Sequence, residues 1–521
     1  MSNPENMIDQ RLRRWLPLLT IFLTAIIFDR LFHLMDLGIN VLLFTMVVIG
    51  VLLMRLGWSG LSLPARAALG GALLSAVMVV VHNSILSMVV AVMGLVLGSA
   101  LAHEPRLRSL YYALQQAVAN AIMLPASAWD GVGELVHAER APRKGWSMGR
   151  IMVLPLIIGV VFFQIYRVGN PRFEAMTAGF LDGIWSFVAD LLSSIFTPHA
   201  LFFLFAMFVA GLLLFRHAPA TVVQWEQRWT DFLLRKRIRR PHWMAPTGMN
   251  LLERERRMGL VLLVLVNVLL AVVNAIDVSW VWFGFEVPQD FSLKQFVHEG
   301  TWALIISILL SMVILLHLFR GNQNFYQKGD TLKRLALLWV CQNFILGISV
   351  FLRNYHYISF HGLAYKRIGV IVFLALVMVG LITLYFKVKE RKSFFYLVRL
   401  NTWALFMALV SLSMVDWDTV IVRYNLKHDN PGEIDIDNYL AMSDKVLPLL
   451  YENIEVVEMQ MARHRNNRVR WVETLEPRSF RISLDVKRDR FLQRSNKAHW
   501  QEWNLADART MRYFLPEKPR S

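Results

Sequence analysis

The chain has 521 residues, of which 56% are hydrophobic and only 18% charged, and its mean hydropathy is +0.43. A soluble chain of this size carries about a quarter charged residues, so the composition excludes one and points to a surface that faces a bilayer. The formal net charge of +17 sits mostly in short loops between apolar runs, where Lys and Arg retain loops on the cytoplasmic side, so it reads as topology and not as a nucleic-acid footprint.

Met1 to Arg14 is polar and ends in Arg11, Arg13 and Arg14 before an apolar stretch. No small-residue cleavage site follows, which predicts an uncleaved first helix with the N-terminus inside. About 20 apolar residues cross the hydrocarbon at 1.5 Å rise per residue, and shorter runs suffice where flanking side chains snorkel. On that rule spans are predicted at Trp15 to Phe28, Leu37 to Met54, Ala67 to Val81, Ile85 to Leu101, Ile151 to Tyr166 and Leu201 to Phe215. Further spans follow at Met258 to Ile276, Thr301 to Phe319, Leu335 to Leu352, Ile368 to Phe386 and Tyr396 to Val415. Only His82, Asn83 and Ser84 separate the third from the fourth, which leaves a tight hairpin and one long broken helix both open.

The charges check this count independently. With the N-terminus inside, the cytoplasmic segments carry roughly thirty Lys and Arg against about seven in the outer loops. The densest cytoplasmic loop, 216–257, includes Arg235, Lys236, Arg237, Arg239 and Arg240, whereas the outer loop Asp277 to Gly300 carries Glu286, Asp290 and Glu299 against Lys294. An odd number of spans places the tail outside.

Three stretches between spans are amphipathic. Phe173 to Ile195 sets Phe173, Met176, Phe180, Ile184, Phe187, Leu191 and Ile195 at helical spacing opposite Asp182, Ser186 and Asp190. Arg106 to Leu124 and Val222 to Ile238 look similar. Such helices brace a bundle at the interface, the alternative being a re-entrant lining role.

Beyond Val415 the composition becomes that of a soluble domain. Asp437 or Ser443 can cap a helix running to about Arg463, through Val446, Leu449, Leu450, Ile454 and Val457. Phe480, Ile482, Leu484 and Val486 alternate with Arg481, Ser483, Asp485 and Lys487, which predicts a half-buried strand, with Val469 to Thr474 as a hairpin partner. A last helix is expected around Lys497 to Phe514. The predicted architecture is therefore an all-α polytopic transmembrane bundle of about eleven spans over residues 1–415, followed by a small α+β extracytoplasmic domain over 416–521.

Several short phrases occur in order along the chain: Asp29-Arg-Leu-Phe before an apolar helix, Asn170-Pro171, Phe296-Val-His-Glu-Gly300, His361-Gly-Leu-Ala-Tyr365, Val422-Arg-Tyr-Asn425, Asp435 to Leu440, and Trp500-Gln-Glu-Trp-Asn504. Together they resemble the bacterial membrane-protein family catalogued as domain of unknown function 4173, with its neighbour 4153. The resemblance implies a polytopic protein of the bacterial cytoplasmic (inner) membrane and no agreed activity. The long basic loop and the arginine-rich tail depart from that family's pattern.

Ionisable residues deep in spans mark proton relays and ion pathways, and here Asp29, Arg30, Asp277, Arg353 and Arg399 all fall near span ends. Asn267, Asn274 and Asp277 share one face of the seventh span, with Gln342 and Asn343 in the ninth as possible partners. Interhelical hydrogen bonding accounts for them, and a solute pathway is the alternative. The outer loops hold the richest constellation. His298 and Glu299 precede the eighth span, Arg353, His356, His361 and Tyr365 lie between the ninth and tenth, and Asp416, Asp418, Arg423 and Asn425 follow the eleventh.

If these groups converge, they form an extracytoplasmic cleft for an anion or headgroup; otherwise they pack loops and anchor the interface. No HExxH-like pattern fixes two metal ligands on one helical face, and the single Cys341 supplies no thiol cluster, so no metal, cofactor or catalytic residue is assigned. The basic tail 463–497, interleaved with Trp471, Phe480 and Phe491, faces lipid headgroups or anionic envelope polymers once it lies outside, and it could also engage an envelope protein. A non-enzymatic envelope protein that binds, senses or assembles into a complex is the first functional expectation. A permease using the polar stripe is the second, and an enzyme on lipid-linked substrates using His298, Glu299 and His356 is the third.

Overall fold

The computed structural model describes residues 4–136, 172, 197–235, 251–283, 300–428, 436–466 and 475–515. Among them nine helices are long and apolar enough to cross a membrane, and the chain is a multi-pass membrane protein. They are α1 (Pro4–Phe32), α2 (Ile39–Gly60), α3 (Leu63–His82), α4 (Ile85–His103), then α8 (Leu251–Asp277, continued by a π-turn Val278–Trp282), α9 (Thr301–Leu318), α10 (Asp330–His361), α11 (Tyr365–Glu390) and α12 (Phe394–Ser413). Between α4 and α8 lie α5 (Leu110–Val136), the apolar but shorter α6 (Pro198–Leu214) and α7 (Thr221–Gln227). Every predicted span in the described residues coincides with one of these helices; Ile151 to Tyr166 lies outside them, as does Phe173 to Ile195 apart from its neighbour Arg172.

The helices form for the reason any segment does in hydrocarbon: each backbone N–H and C=O has to be satisfied inside its own segment. Polar caps define the ends. Ser62, Ser84, Thr197 and Ser393 each accept a backbone N–H of the following turn. At His82 to Ser84 the tight hairpin is the observed form, because Asn83 adopts left-handed backbone (φ 46°) and Ser84 caps α4. The two helices then pack at close range through small residues. A Cβ on Gly94 would stand 2.9 Å from that of Ala72, and one on Gly98 would stand 2.6 Å from Leu69, so glycine is what permits the approach.

Two apolar cores result. One joins α2, α3, α4, α5, α6 and α12 around Val48, Leu52, Leu69, Leu101 and Phe406. The other joins α8 to α11 around Leu263, Ile308, Leu315 and Leu381. Along α5, Leu110, Ala113, Ala117 and Leu124 are buried while Tyr111, Leu114, Val118 and Ile122 are exposed, leaving an apolar stripe free as in an interfacial helix.

Cross-links between helix ends sort the loops into two sets. At one end Ile39 N–H donates to Trp503 O (2.9 Å), Lys445 to His82 O (2.8 Å), and His199 pairs with Asp29 (3.0 Å). At the other, His103 meets Leu213 O (3.0 Å), Ser393 N–H donates to Asp231 O (2.8 Å) and Lys387 to Phe319 O (3.1 Å). The first is the tail end of the bundle and the second its basic end.

The tail corrects one prediction. Among the described residues there is no strand, only an isolated bridge between Phe232 and Lys392. The stretch predicted as a strand, Phe480 to Lys487, lies inside the helix Pro477–Lys497; its supposed partner, Val469 to Thr474, is outside the described residues. Phe480, Leu484 and Phe491 are buried at helical spacing whereas Ile482 (57% exposed) and Val486 (43%) are not. The alternation arose from two apolar stripes of one helix, of which only one enters the core. The tail helices are α13 (Trp417–Lys427), α14 (Leu447–Glu452), α15 (Ile454–Asn466), α16 (Pro477–Lys497) and α17 (Leu505–Phe514). They enclose a core of Ile421, Val422, Tyr439, Val446, Leu450, Phe480 and Leu484 that reaches Ile368 of α11.

Candidate functional site

Just beyond α12, Asp416 caps α13 by accepting from Thr419 Oγ1 (2.7 Å) and its backbone N–H (3.4 Å), and Asp418 sits in the first turn, where the helix dipole favours a carboxylate. Lys445 lies on the turn Asp444–Val446, with its side chain only 6% exposed. Its ammonium reaches Asp416 at 2.8 Å, Asp418 at 3.6 Å and the His82 carbonyl at 2.8 Å. Asp418 also accepts the hydroxyls of Ser443 and Tyr365. Burial by itself would push this carboxyl up, but the hydroxyls of Ser443 and Tyr365 and the Lys445 ammonium together hold it below the usual carboxylate range. One polar knot thus ties the ends of α3, α11 and α12 to the tail.

Two further fastenings flank the knot. Asn425 clamps the turn after α10, accepting from Leu363 N–H (2.6 Å) and donating to Leu363 O (2.9 Å). At the start of α2, a side chain on Gly38 would collide with the backbone of Glu502 and Trp503.

Clefts open beside these fastenings. One of about 470 Å³ has bundle walls from Asp36, Leu37, Asn83 and Met88 and tail walls that include Arg494, Trp500, Trp503 and Met511. A second, of about 540 Å³, places Lys487, Arg490 and Arg494 beside Leu440, Ile482 and Phe491. Arg494 borders both and pairs with Asp444 at 3.0 Å and Asp507 at 3.8 Å. Arg490 is exposed and pairs with no acid among the described residues. The 540 Å³ cleft sets Lys487, Arg490 and Arg494 against the single carboxylate of Asp444, whereas the 470 Å³ cleft sets Arg494 among Asp36, Glu502 and Asp507; the first suits an anionic ligand with some apolar body.

Those of the residues singled out in the sequence that are described sit in separate local settings. His298 and Glu299 lie outside the described residues. Arg353 turns to α8 and pairs with Asp277 at 2.5 Å, both side chains being nearly inaccessible (9% and 4%). His356 meets Val281 O at 3.3 Å, His361 lies tilted against Tyr357 with ring centroids 4.5 Å apart, and Arg423 is exposed on α13. Asn425 is buried in its clamp.

The polar stripe is a ladder between α8 and α10. Asn267 donates to Leu335 O (3.2 Å), Gln342 donates to Asn267 Oδ1 (3.1 Å), and Asn274 donates to Gln342 O (3.1 Å), with the Asp277–Arg353 pair closing it. Asn343 bonds within its own helix, to Trp339 O (2.8 Å). Among the described residues no three His, Cys, Asp or Glu side chains cluster as metal ligands. The sequence pointed to Asp416, Asp418 and Tyr365 as site candidates but not to Lys445, and to His82 only as part of the short link between α3 and α4. Nothing local marks Lys445, because its partners come from turns remote in the chain.

A family model described as Domain of unknown function (DUF4153) matches residues 68–453. No curated protein and no solved structure matches the chain.

Proposed function

The chain belongs to the DUF4153 family, whose description states no activity, and from that premise we propose that it is a non-enzymatic binding or sensing protein of the bacterial inner membrane. Its basic end faces the cytoplasm and its tail lies outside, where it takes an anionic envelope polymer or an envelope protein partner. The orientation rests on Arg228, Arg235, Arg254, Arg256, Arg257, Lys333, Lys389 and Arg391 gathering at the end opposite the tail. The observation that carries the function is the 540 Å³ cleft, where Lys487, Arg490 and Arg494 gather over an apolar floor; it shares Arg494 with the 470 Å³ cleft, whose walls come from both the bundle and the tail. A ligand that extends past Arg494 into this second cleft touches the residues before α2 and the α3–α4 turn together with α16 and α17, so its binding energy acts on how the tail sits on the membrane helices.

The test is binding of fluorescent poly(glycerol phosphate) to the full chain in nanodiscs. Wild type should bind saturably, and the R490Q/R494Q variant should bind about tenfold more weakly, the scale of losing one or two charge contacts. Equal binding by the two would sink the proposal. A permease is the second reading, favoured by the buried Asp277–Arg353 pair, since ionisable groups in a bundle are costly unless paired or used. The pair lies at the tail-side margin of the apolar runs, and its partners form a helix-joining ladder, which favours packing.

A further inference from the structure

At the basic end lies a cavity of about 1020 Å³, between the two apolar cores. Volumes of about 300–1,000 Å³ are usual for small-molecule sites, so this one can take a large amphiphile. One wall is the strap after α7, Trp229 to Leu234; the others are the ends of α9 and α11 and the start of α12. The strap is held to the α11–α12 turn by Leu233 N–H donating to Arg391 O (2.9 Å) and to α12 by the Asp231–Arg399 pair (2.9 Å). The floor is apolar and aromatic, with Leu316, Phe319, Phe394 and Phe395.

Among the described residues the charged lining is entirely cationic: Arg228, Arg320 and Lys387, with no acidic residue. Lys387 is only 3% exposed. Its one protein acceptor among the described contacts is Phe319 O at 3.1 Å, and no carboxylate of the described residues pairs with it. A buried ammonium without a counter-charge is costly, and an anion in the cavity would supply one. Arg228 and Arg320 are exposed at the rim, where they can reach the same headgroup.

We infer that this cavity is a binding site for an anionic phospholipid, its phosphate held by Lys387, Arg320 and Arg228 and its acyl chains laid along Phe319, Leu316, Phe394 and Phe395. The surrounding bilayer supplies such lipids, and bound there one bridges the two halves of the bundle at the strap.

Native mass spectrometry of the purified full chain tests this with equal amounts of dimyristoyl phosphatidylglycerol and dimyristoyl phosphatidylcholine. Phosphatidylglycerol should be retained about tenfold more than phosphatidylcholine, and K387Q and R228Q/R320Q should each abolish the preference. The rim arginines are exposed, so the double variant decides the matter even where K387Q fails to elute as a folded species. Equal retention of the two lipids, or a preference that survives R228Q/R320Q, overturns the site. Displacement of phosphatidylglycerol by glycerol 3-phosphate alone also overturns it, because that would be an anion site without recognition of the chains.

Discussion

Lys445 meets two carboxylates and a carbonyl at once, and Asp418 meets an ammonium and two hydroxyls. These two residues are thus one of the tail's attachments, beside the Asn425 clamp and the apolar core that reaches Ile368, and the part that Asp418 contributes depends on its ionisation. Asp418 titrates below the roughly 3.9 of an unfolded aspartate. A depressed folded value means that its contribution is present above about pH 4 and is lost as pH falls through the folded value. Hydrogen exchange over residues 443–461 should therefore stay slow at neutral pH and quicken below about pH 4, after correction for intrinsic rates. D418N should weaken docking by about 1–3 kcal/mol at neutral pH and flatten the acid response. The same acid transition in D418N and wild type would place the cause elsewhere.

At the scale of elements, the α8–α10 ladder shows what a polar stripe in a span is for: Asn267, Asn274 and Asp277 each find a partner on α10. If pairing is its whole role, R353M leaves a buried carboxylate without a counter-charge and costs about 3–5 kcal/mol, whereas D277L/R353M removes both charges and recovers most of that. Thermal unfolding in nanodiscs checks this; a double variant no more stable than R353M would mean that the site needs its charges for something besides packing. The stripe was legible in the sequence because seven- and three-residue spacings fix a face. Helix α16 was not, because Ile482 and Val486 mimic a strand's alternation, and the burial of Phe480, Leu484 and Phe491 selected the helix.

For the whole molecule, the described loops fall into two sets, at a tail end and at the opposite end, and the charge alternation predicts that the tail end faces outward. In a C341S background, which removes the chain's single cysteine, an impermeant maleimide on intact cells should label the exposed position R490C and leave Q227C, exposed at the opposite end, unlabelled until the membrane is opened. Labelling of Q227C alone would invert the molecule and move the tail clefts to the cytoplasm.

Hydropathy determined the multi-pass architecture and its described membrane helices, because the bilayer imposes one-dimensional rules of length, apolarity and backbone self-satisfaction. What meets what was decided only by tertiary structure. Arg353 and Asp277, assigned separately to an outer cleft and a polar stripe, proved to be one ion pair. Lys445 found Asp416, Asp418 and His82, and the cationic cavity around Lys387 drew its walls from remote helix ends. These pairings depend on which helix ends pack together, as the close approach of Gly94 and Gly98 to α3 shows for one pair of helices, and no periodicity within a single segment encodes that.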